Sequence, residues 1–342
     1  MSVPSTHQAL ALVEQGKVEI KTQPLPELDD DSVLVKIKAV ALNPTDWKHI
    51  DFLLKPGQSV GCDFAGDIAA IGKNVTGWKV GDPVGGFVRG GFVVNDNGAF
   101  QEYVVTLPQL IWRKPASLPY EDAAPMGGIA LSTAVYALHH SLELPYEPIS
   151  NPEPILIWSG ATGVGMYAIK LASLAGYKVI TVASQRNWDL VKSLGASVVF
   201  DYKDPEVVQK IKDWVNTEGG GRRLTKALDT ISENGSIETC IQILKGEQQA
   251  TVITLLPAPK DIDSNDVNVK GILIYAALKP RNEVDFKMLT DWNERLPSYV
   301  EEGKLHKVVP LKRFQGFSKL PEAIDYVRQG KVSGEKVVVT FE

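Results

Sequence analysis

The segment Ile155-Leu-Ile-Trp-Ser-Gly-Ala-Thr-Gly-Val-Gly-Met-Tyr-Ala168 carries the most specific chemical pattern in the chain. A short apolar run, Ile155 to Trp158, leads into a turn, and the turn leads into a helical stretch, Val164 to Ala175. Gly163, Gly165 and Ala168 stand in the spacing G-x-G-x-x-G/A, which at a strand-to-helix turn forms a dinucleotide pyrophosphate site. Gly163 lets the chain turn sharply, Gly165 leaves room for the pyrophosphate, and Ala168 lets the helix close on the sheet. The first helical amides and the positive end of the helix dipole then face the anion. The expected cofactor contacts are Ser159, Gly160, Thr162, Gly163, Val164 and Gly165, with the two hydroxyls as extra donors.

The choice of nucleotide is read about twenty residues on, where a site for NAD carries a carboxylate against the ribose 2′-hydroxyl. Here the strand Lys178 to Ala183 runs into Ser184-Gln-Arg-Asn187, with no carboxylate. A phosphate on that ribose would be repelled by an acid and welcomed by Ser184 and Arg186. NADPH/NADP is therefore the expected cofactor, with Asn187 completing the set. Ser184 and Asn187 also suit the start of a helix at Trp188. Tyr202, with Lys203, follows the next strand and is expected to border the adenosine; Leu255, with Leu256, ends a later strand and is expected to flank the cofactor. Ile274 and Tyr275 fit a flanking place and core packing equally.

Other chemistry is thinly supplied. There are two cysteines, Cys62 and Cys240, and five histidines, so metal sites built on those residues are short of material. His139 and His140 are adjacent and read as a helix end, and Tyr103 reads as a structural strand residue.

The elements around these residues fall into three textures. Residues 1 to 125 are rich in short strands and glycine turns, such as Ser32 to Val40 and Phe64 to Ile71, which reads as a barrel-like β domain. Residues 126 to 299 hold strands alternating with helices, which means βαβ units and a parallel sheet. From about residue 300 the β texture returns, and Lys336 to Phe341 reads as a strand that completes the first domain. The expected fold class is α/β: a Rossmann-type parallel sheet (126–299) plus a discontinuous β-barrel domain (1–125 and 300–342).

With 36 Lys and Arg against 41 Asp and Glu, the net charge of −5 argues against nucleic acid or an anionic membrane as partner. No apolar stretch approaches 18 residues and no signal peptide is evident, so a reducing, cytoplasmic location is expected. The apolar tract Gly271 to Leu278 suits a sheet edge for a homodimer, and a monomer is equally compatible.

Further tracts carry a resemblance. Ala39-Val-Ala-Leu-Asn-Pro-Thr-Asp-Trp-Lys48, Gly61-Cys-Asp-Phe-Ala-Gly66, Val80-Gly-Asp82, Gly98-Ala-Phe-Gln-Glu-Tyr103 and Ser333-Gly-Glu-Lys-Val337 resemble the medium-chain dehydrogenase/reductase superfamily over nearly the whole chain. More narrowly the chain is similar to the zinc-independent quinone oxidoreductase branch, and within it to the fungal trans-acting enoyl reductases of polyketide synthases, the lovastatin type. The resemblance implies a GroES-like β domain. Where zinc members carry a first ligand this chain has Asn43, and their Gly-His-Glu reads Gly61-Cys62-Asp63, so no metal is expected. It also implies that Asn43 and Lys48 belong to the nicotinamide pocket, Lys48 on the cofactor or the substrate carbonyl, and that Thr133, after Ser132, meets the nicotinamide.

The expected reaction is NADPH-dependent reduction of an activated C=C bond, with hydride going to the β-carbon of an enoyl thioester or another conjugated carbonyl, and with a polyketide synthase as partner. The alternatives are a stand-alone quinone or alkenal reductase and a non-catalytic NADPH-binding protein. The segments Val80 to Asn97 and Gly271 to Arg295 are expected to line the mouth of the pocket.

Overall fold

The computed structural model describes residues 3–53, 55–90, 98–264 and 266–341. It divides into two compact units, Met1–Ser132 with Tyr275–Glu342, and Thr133–Ile274. The divisions fall at 132/133 and 274/275, whereas the texture of the sequence placed them at 125/126 and 299/300. Two attachments explain the shift. The amide of Ile129 donates to Asp63 Oδ1 at 2.9 Å, which ties the chain after residue 126 to the first unit. The helix Glu283–Glu301 packs on the strand Ile111–Arg113, and Asn293 Nδ2 donates to the Gln109 carbonyl at 3.2 Å.

The first unit is built on a seven-stranded sheet. Its order is Leu311–Gln315, Lys336–Thr340, Val33–Ala41, Asp63–Ile71, Pro83–Phe87 and Ile111–Arg113, with Tyr103–Thr106 also pairing to Val33–Ala41. All neighbours are antiparallel except the first pair. A hairpin, Thr6–Glu14 with Lys17–Pro24, joins through bridges at Ala9–Gln101 and Ala11–Ser59. Along Val33–Ala41 the residues Val33, Val35, Ile37 and Ala39 are buried and Lys36 is exposed, the pattern of a sheet packed on a core. Leu10, Phe64, Phe100, Leu320 and Val339 fill that core. Gly61 has no substitute here: its φ is +95° and a Cβ would stand 2.1 Å from the Phe100 ring.

A buried ion pair fastens the sheet at its centre. Lys336 Nζ lies 3.4 Å from Asp63 Oδ2 and donates to Asn43 Oδ1, and Lys336 and Asp63 are 5% and 0% exposed. Gly128 gives the carboxylate its space, since a Cβ there would meet Asp63 Oδ2 at 2.2 Å.

The second unit carries a six-stranded sheet in the order Ala196–Phe200, Lys178–Val182, Pro154–Trp158, Lys226–Asp229, Thr251–Thr254 and Asn268–Gly271. Every neighbouring pair is parallel. Pro154–Trp158 is buried at all five residues, as a strand covered on both faces must be, and so it is apolar throughout. In chain order the arrangement is 3-2-1-4-5-6, and the direction of building reverses between Pro154–Trp158 and Lys226–Asp229. The tract Gly271 to Leu278 is not an edge strand: the edge strand is Asn268–Gly271, and Ile274–Leu278 forms a short 3-10 helix.

Lys336→Met should leave Asp63 buried without its cation. Removing one partner of a buried pair costs about 3–5 kcal/mol, so urea unfolding should show a loss of that size with an unchanged slope.

Candidate functional site

In a doubly wound sheet ligands settle outside the carboxyl ends of the strands where the order reverses. Two loops meet there. Trp158 ends one strand and Ser159 turns the chain with φ 64°; Asp229 ends the neighbouring strand and Thr230 follows. Thr162 Oγ1 lies 2.8 Å from Thr230 Oγ1, and Thr230 Oγ1 reaches the carbonyls of Trp158 and Ser159 at 2.9 and 3.0 Å. The sharp bend is therefore made at Ser159, and Gly163 is the first residue of the helix Gly163–Leu174. Gly165 is needed for contact within the chain: a Cβ there would meet the Ser159 carbonyl oxygen at 2.5 Å. Ala168 is fully buried.

Thr162 is the N-cap of this helix and accepts the Gly165 amide at 2.9 Å. Its hydroxyl is thus committed to the turn and to Thr230. What the helix leaves for an anion are the amides of Gly163 and Val164, which no preceding turn can accept, together with the dipole. The neighbouring loop is organised by Asp229, which is fully buried and accepts from the amides of Ile231 and Ser232, both at 3.0 Å, and from Ser236 Oγ at 2.5 Å. Burial pushes its carboxyl above the usual range while these donors pull it down. Ser232 Oγ then accepts the Leu255 amide at 2.8 Å, which carries the order to the end of Thr251–Thr254.

At the end of Lys178–Val182, Ser184 is half-buried, Arg186 exposed and Asn187 buried. Trp188 Nε1 donates to the Ala183 carbonyl at 2.9 Å and fixes the loop. The carboxylates nearest in sequence are Asp189, in the helix Trp188–Ser193, and Asp201, which accepts the Lys203 amide at 2.9 Å. Tyr202 is exposed, with Lys203 Nζ 5.8 Å from its ring centre. Thr133 lies inside the helix Ile129–Val135 and is buried. His139 and His140 belong to the π-helical turn Tyr136–Ser141, where His139 Nδ1 bonds the Leu144 carbonyl at 2.9 Å.

In the first unit the helix Pro44–Phe52 begins at Asn43, whose amide donates to Asp46 Oδ2 at 2.7 Å. Asn43 is buried and its side-chain oxygen is taken by Lys336, so the structure gives it a supporting place. Lys48, on the same helix, is half-buried and stands 5.9 Å from the Trp47 ring centre. Thr45 and His49, which the sequence reading passed over, join this region together with Tyr275. Thr45 Oγ1 lies 2.9 Å from His49 Nε2 and 3.1 Å from the Tyr275 hydroxyl, which is itself 3.5 Å from Cys62 Sγ. Of the tracts expected to line a mouth, residues 91–97 lie outside the described residues.

The charges here are strongly perturbed. Asp46 is fully buried beside Asp63 and is pushed up to about 7, chiefly by desolvation. His49 is lowered to about 4 by burial and by Arg89. Burial pushes the Cys62 thiol well up. Little in the sequence marks Thr45, His49 and Tyr275 as a group, because Tyr275 is 230 residues from Thr45.

Comparisons with known proteins agree with this fold. Residues 29–116 match the alcohol dehydrogenase GroES-like domain and residues 163–293 the zinc-binding dehydrogenase family. The trans-enoyl reductase ACTTS2 of Alternaria alternata is 35% identical, over 98% of this chain and 99% of that protein. The trans-enoyl reductase resD of Aspergillus sclerotiorum is 34% identical over 97% and 99%, and the uncharacterised YNL134C of Saccharomyces cerevisiae 34% over 100% and 99%. In fold, the CurK enoyl reductase superposes with a TM-score of 0.78 at 22% identity, covering 98% of this chain and 99% of that one. The quinone oxidoreductase of Coxiella burnetii gives 0.77 at 24%, covering 98% and 100%. The chain belongs to the medium-chain dehydrogenase/reductase superfamily and, within it, to the trans-enoyl reductase-like group.

The zinc in one family's name does not fit these residues. Catalytic zinc takes three protein ligands, with cysteine as thiolate. Asn43 and Asp63 are engaged by Lys336, and Cys62 is held as a thiol. Among the described residues no three of His, Cys, Asp and Glu come together to hold a metal, and no helix is long and apolar enough to cross a membrane.

The raised Asp46 carboxyl sets a pH dependence. Its folded value, about 7, lies above the ordinary 3.8, so the folded chain holds a proton that the unfolded chain releases between those values. Its contribution is fullest below about pH 4 and is lost as pH rises to 7. Asp46→Asn keeps an acceptor for the Asn43 amide. The variant should gain melting temperature over the parent at pH 8, and the difference should vanish near pH 4.

Proposed function

We propose that the chain is an NADPH-dependent enoyl reductase acting in trans on acyl chains carried by a polyketide synthase. The observation that supports the reading most is the notch at the strand reversal: helix amides at Gly163 and Val164, bracketed by Thr162 and Thr230, in a chain alike over its full length to trans-enoyl reductases. The residues fit a nicotinamide dinucleotide. Ser159 to Gly165 would hold the pyrophosphate, Tyr202 the adenosine side, and Leu255 and Thr133 the nicotinamide side. Ser184, Arg186 and Asn187 would take a ribose phosphate, since no carboxylate stands at the end of Lys178–Val182.

When bound, the reduced nicotinamide supplies a hydride for the β-carbon of the conjugated thioester. The work left to the chain is to orient the acyl group and to steady the negative charge that grows on the carbonyl oxygen. Lys48 is the cation suited to that oxygen or to the cofactor's ribose, and one well-placed donor is worth roughly 3–4 kcal/mol. Asn43, through Lys336 and Asp46, fixes the start of the helix that carries Lys48. In this reading a conjugated double bond needs no Lewis acid as strong as a metal, because its charge spreads onto an oxygen that hydrogen bonds can reach.

Initial rates with crotonyl and longer enoyl thioesters, set against 1,2-naphthoquinone and each run with NADPH and NADH, test the reading. Thioesters should be turned over with NADPH; quinone turnover alone would overturn it. Arg186→Ala should weaken NADPH binding by about 10- to 100-fold, the worth of a hydrogen bond to a charged group, while NADH binding holds. Titration by fluorescence checks both.

A further inference from the structure

Hydride addition leaves an enolate, and the α-carbon still needs a proton. The described residues contain one tyrosine whose hydroxyl is tied into a chain of exchangeable protons beside the helix of Lys48. The Tyr275 hydroxyl lies 3.1 Å from Thr45 Oγ1, and Thr45 Oγ1 lies 2.9 Å from His49 Nε2. The His49 ring also bonds the Gly90 backbone in the sense that favours protonation, so it donates there. A neutral imidazole has one donor and one acceptor, so Nε2 accepts from Thr45. The Tyr275 hydroxyl also lies 3.5 Å from Cys62 Sγ, a second partner for it. Tyr275, Thr45 and His49 thus form one run of exchangeable protons.

We propose that Tyr275 is the proton donor to the α-carbon in the reaction proposed above, and that Thr45 and His49 are positioning residues that hold its hydroxyl, Thr45 also returning its proton. The inference rests on that reading of the reaction. In the step, the enolate's electron pair forms the α-carbon–hydrogen bond as the Tyr275 O–H bond breaks, leaving a phenolate. The half-buried Thr45 then passes its hydroxyl proton to the phenolate and takes one from water, while His49 stays neutral and holds the Thr45 hydroxyl in place. One solvent proton is consumed in each turnover.

Two further observations support the assignment. Burial holds the Tyr275 phenol well above its usual value, so it keeps its proton until a base as strong as an enolate arrives. The Arg89 guanidinium stands 4.8 Å from the centre of the Tyr275 ring, where it steadies the phenolate that remains. Tyr103 lies in the strand Tyr103–Thr106, with the His7 ring 6.2 Å from its own.

The test uses the full chain with Tyr275→Phe, which keeps the ring beneath Arg89. Quinone reduction protonates oxygen, for which water suffices, so it should hold within about twofold, whereas enoyl thioester reduction should fall about 100-fold or more, the usual worth of a general acid. In deuterated water the parent should place deuterium on one face of the α-carbon and the variant on both. Thr45→Val should lower the same rate and leave quinone turnover alone. An unchanged enoyl rate with one labelled face overturns the proposal. So does an equal loss on both substrates, or a lowered melting temperature with lost NADP⁺ binding, since either marks a structural role. If the parent reduces no conjugated C=C bond, the reaction reading itself has failed and the donor role falls with it; a parent that works beside a variant that keeps its rate fails the donor role alone.

Discussion

An ammonium and a carboxylate taken out of water hold each other only if the geometry around them is fixed. In the first unit that condition is met by Lys336 and Asp63. The pair spans the strands Lys336–Thr340 and Asp63–Ile71, with Val33–Ala41 between them. It sets where Asn43 sits, and Asn43 starts the helix that carries Thr45, Lys48 and His49. It requires a glycine at 128, and the same carboxylate takes the amide of Ile129. The helix Pro44–Phe52 and the first turn of Ile129–Val135 are thus both placed by one buried charge.

The second unit solves a different electrostatic problem, that of presenting positive charge with no cation at its centre. It does so with backbone. Thr162 and Thr230 satisfy each other and the carbonyls beneath them, and that leaves the first amides of the helix facing outward. Asp229 secures the adjoining loop through three donors. The Thr162 hydroxyl, which looks in the sequence like a ligand for a phosphate, is a brace of the turn.

Much of this architecture was legible in the chain. Apolar runs broken by helical stretches marked the parallel sheet, because strands covered on both faces cannot afford polar residues, and the glycine spacing marked the turn after Trp158. The β texture of the last residues marked a domain returned to after a long excursion. The rest was hidden for physical reasons. The left-handed residue of the turn is a serine, and φ is not written in residue type. The place of Glu283–Glu301 depends on what its apolar side meets, the strand Ile111–Arg113, which periodicity does not name. Tyr275 and Thr45 touch across 230 positions, and Lys336 reaches Asn43 across 293. Side-chain partnerships at such separations follow from topology alone.

The strand Lys336–Thr340 lies inside the sheet of the first unit, between Leu311–Gln315 and Val33–Ala41. During synthesis, then, Val33–Ala41 must wait for a neighbour made roughly 300 residues later, about 15–60 s at ribosomal speed. Through that interval one edge of the sheet offers open amides and carbonyls to any extended chain nearby, while the second unit, contiguous from 133 to 274, has all its strands and is free to fold. The vulnerable period of this molecule is therefore built into its order of manufacture, and chaperones would be drawn to the half that begins first and finishes last.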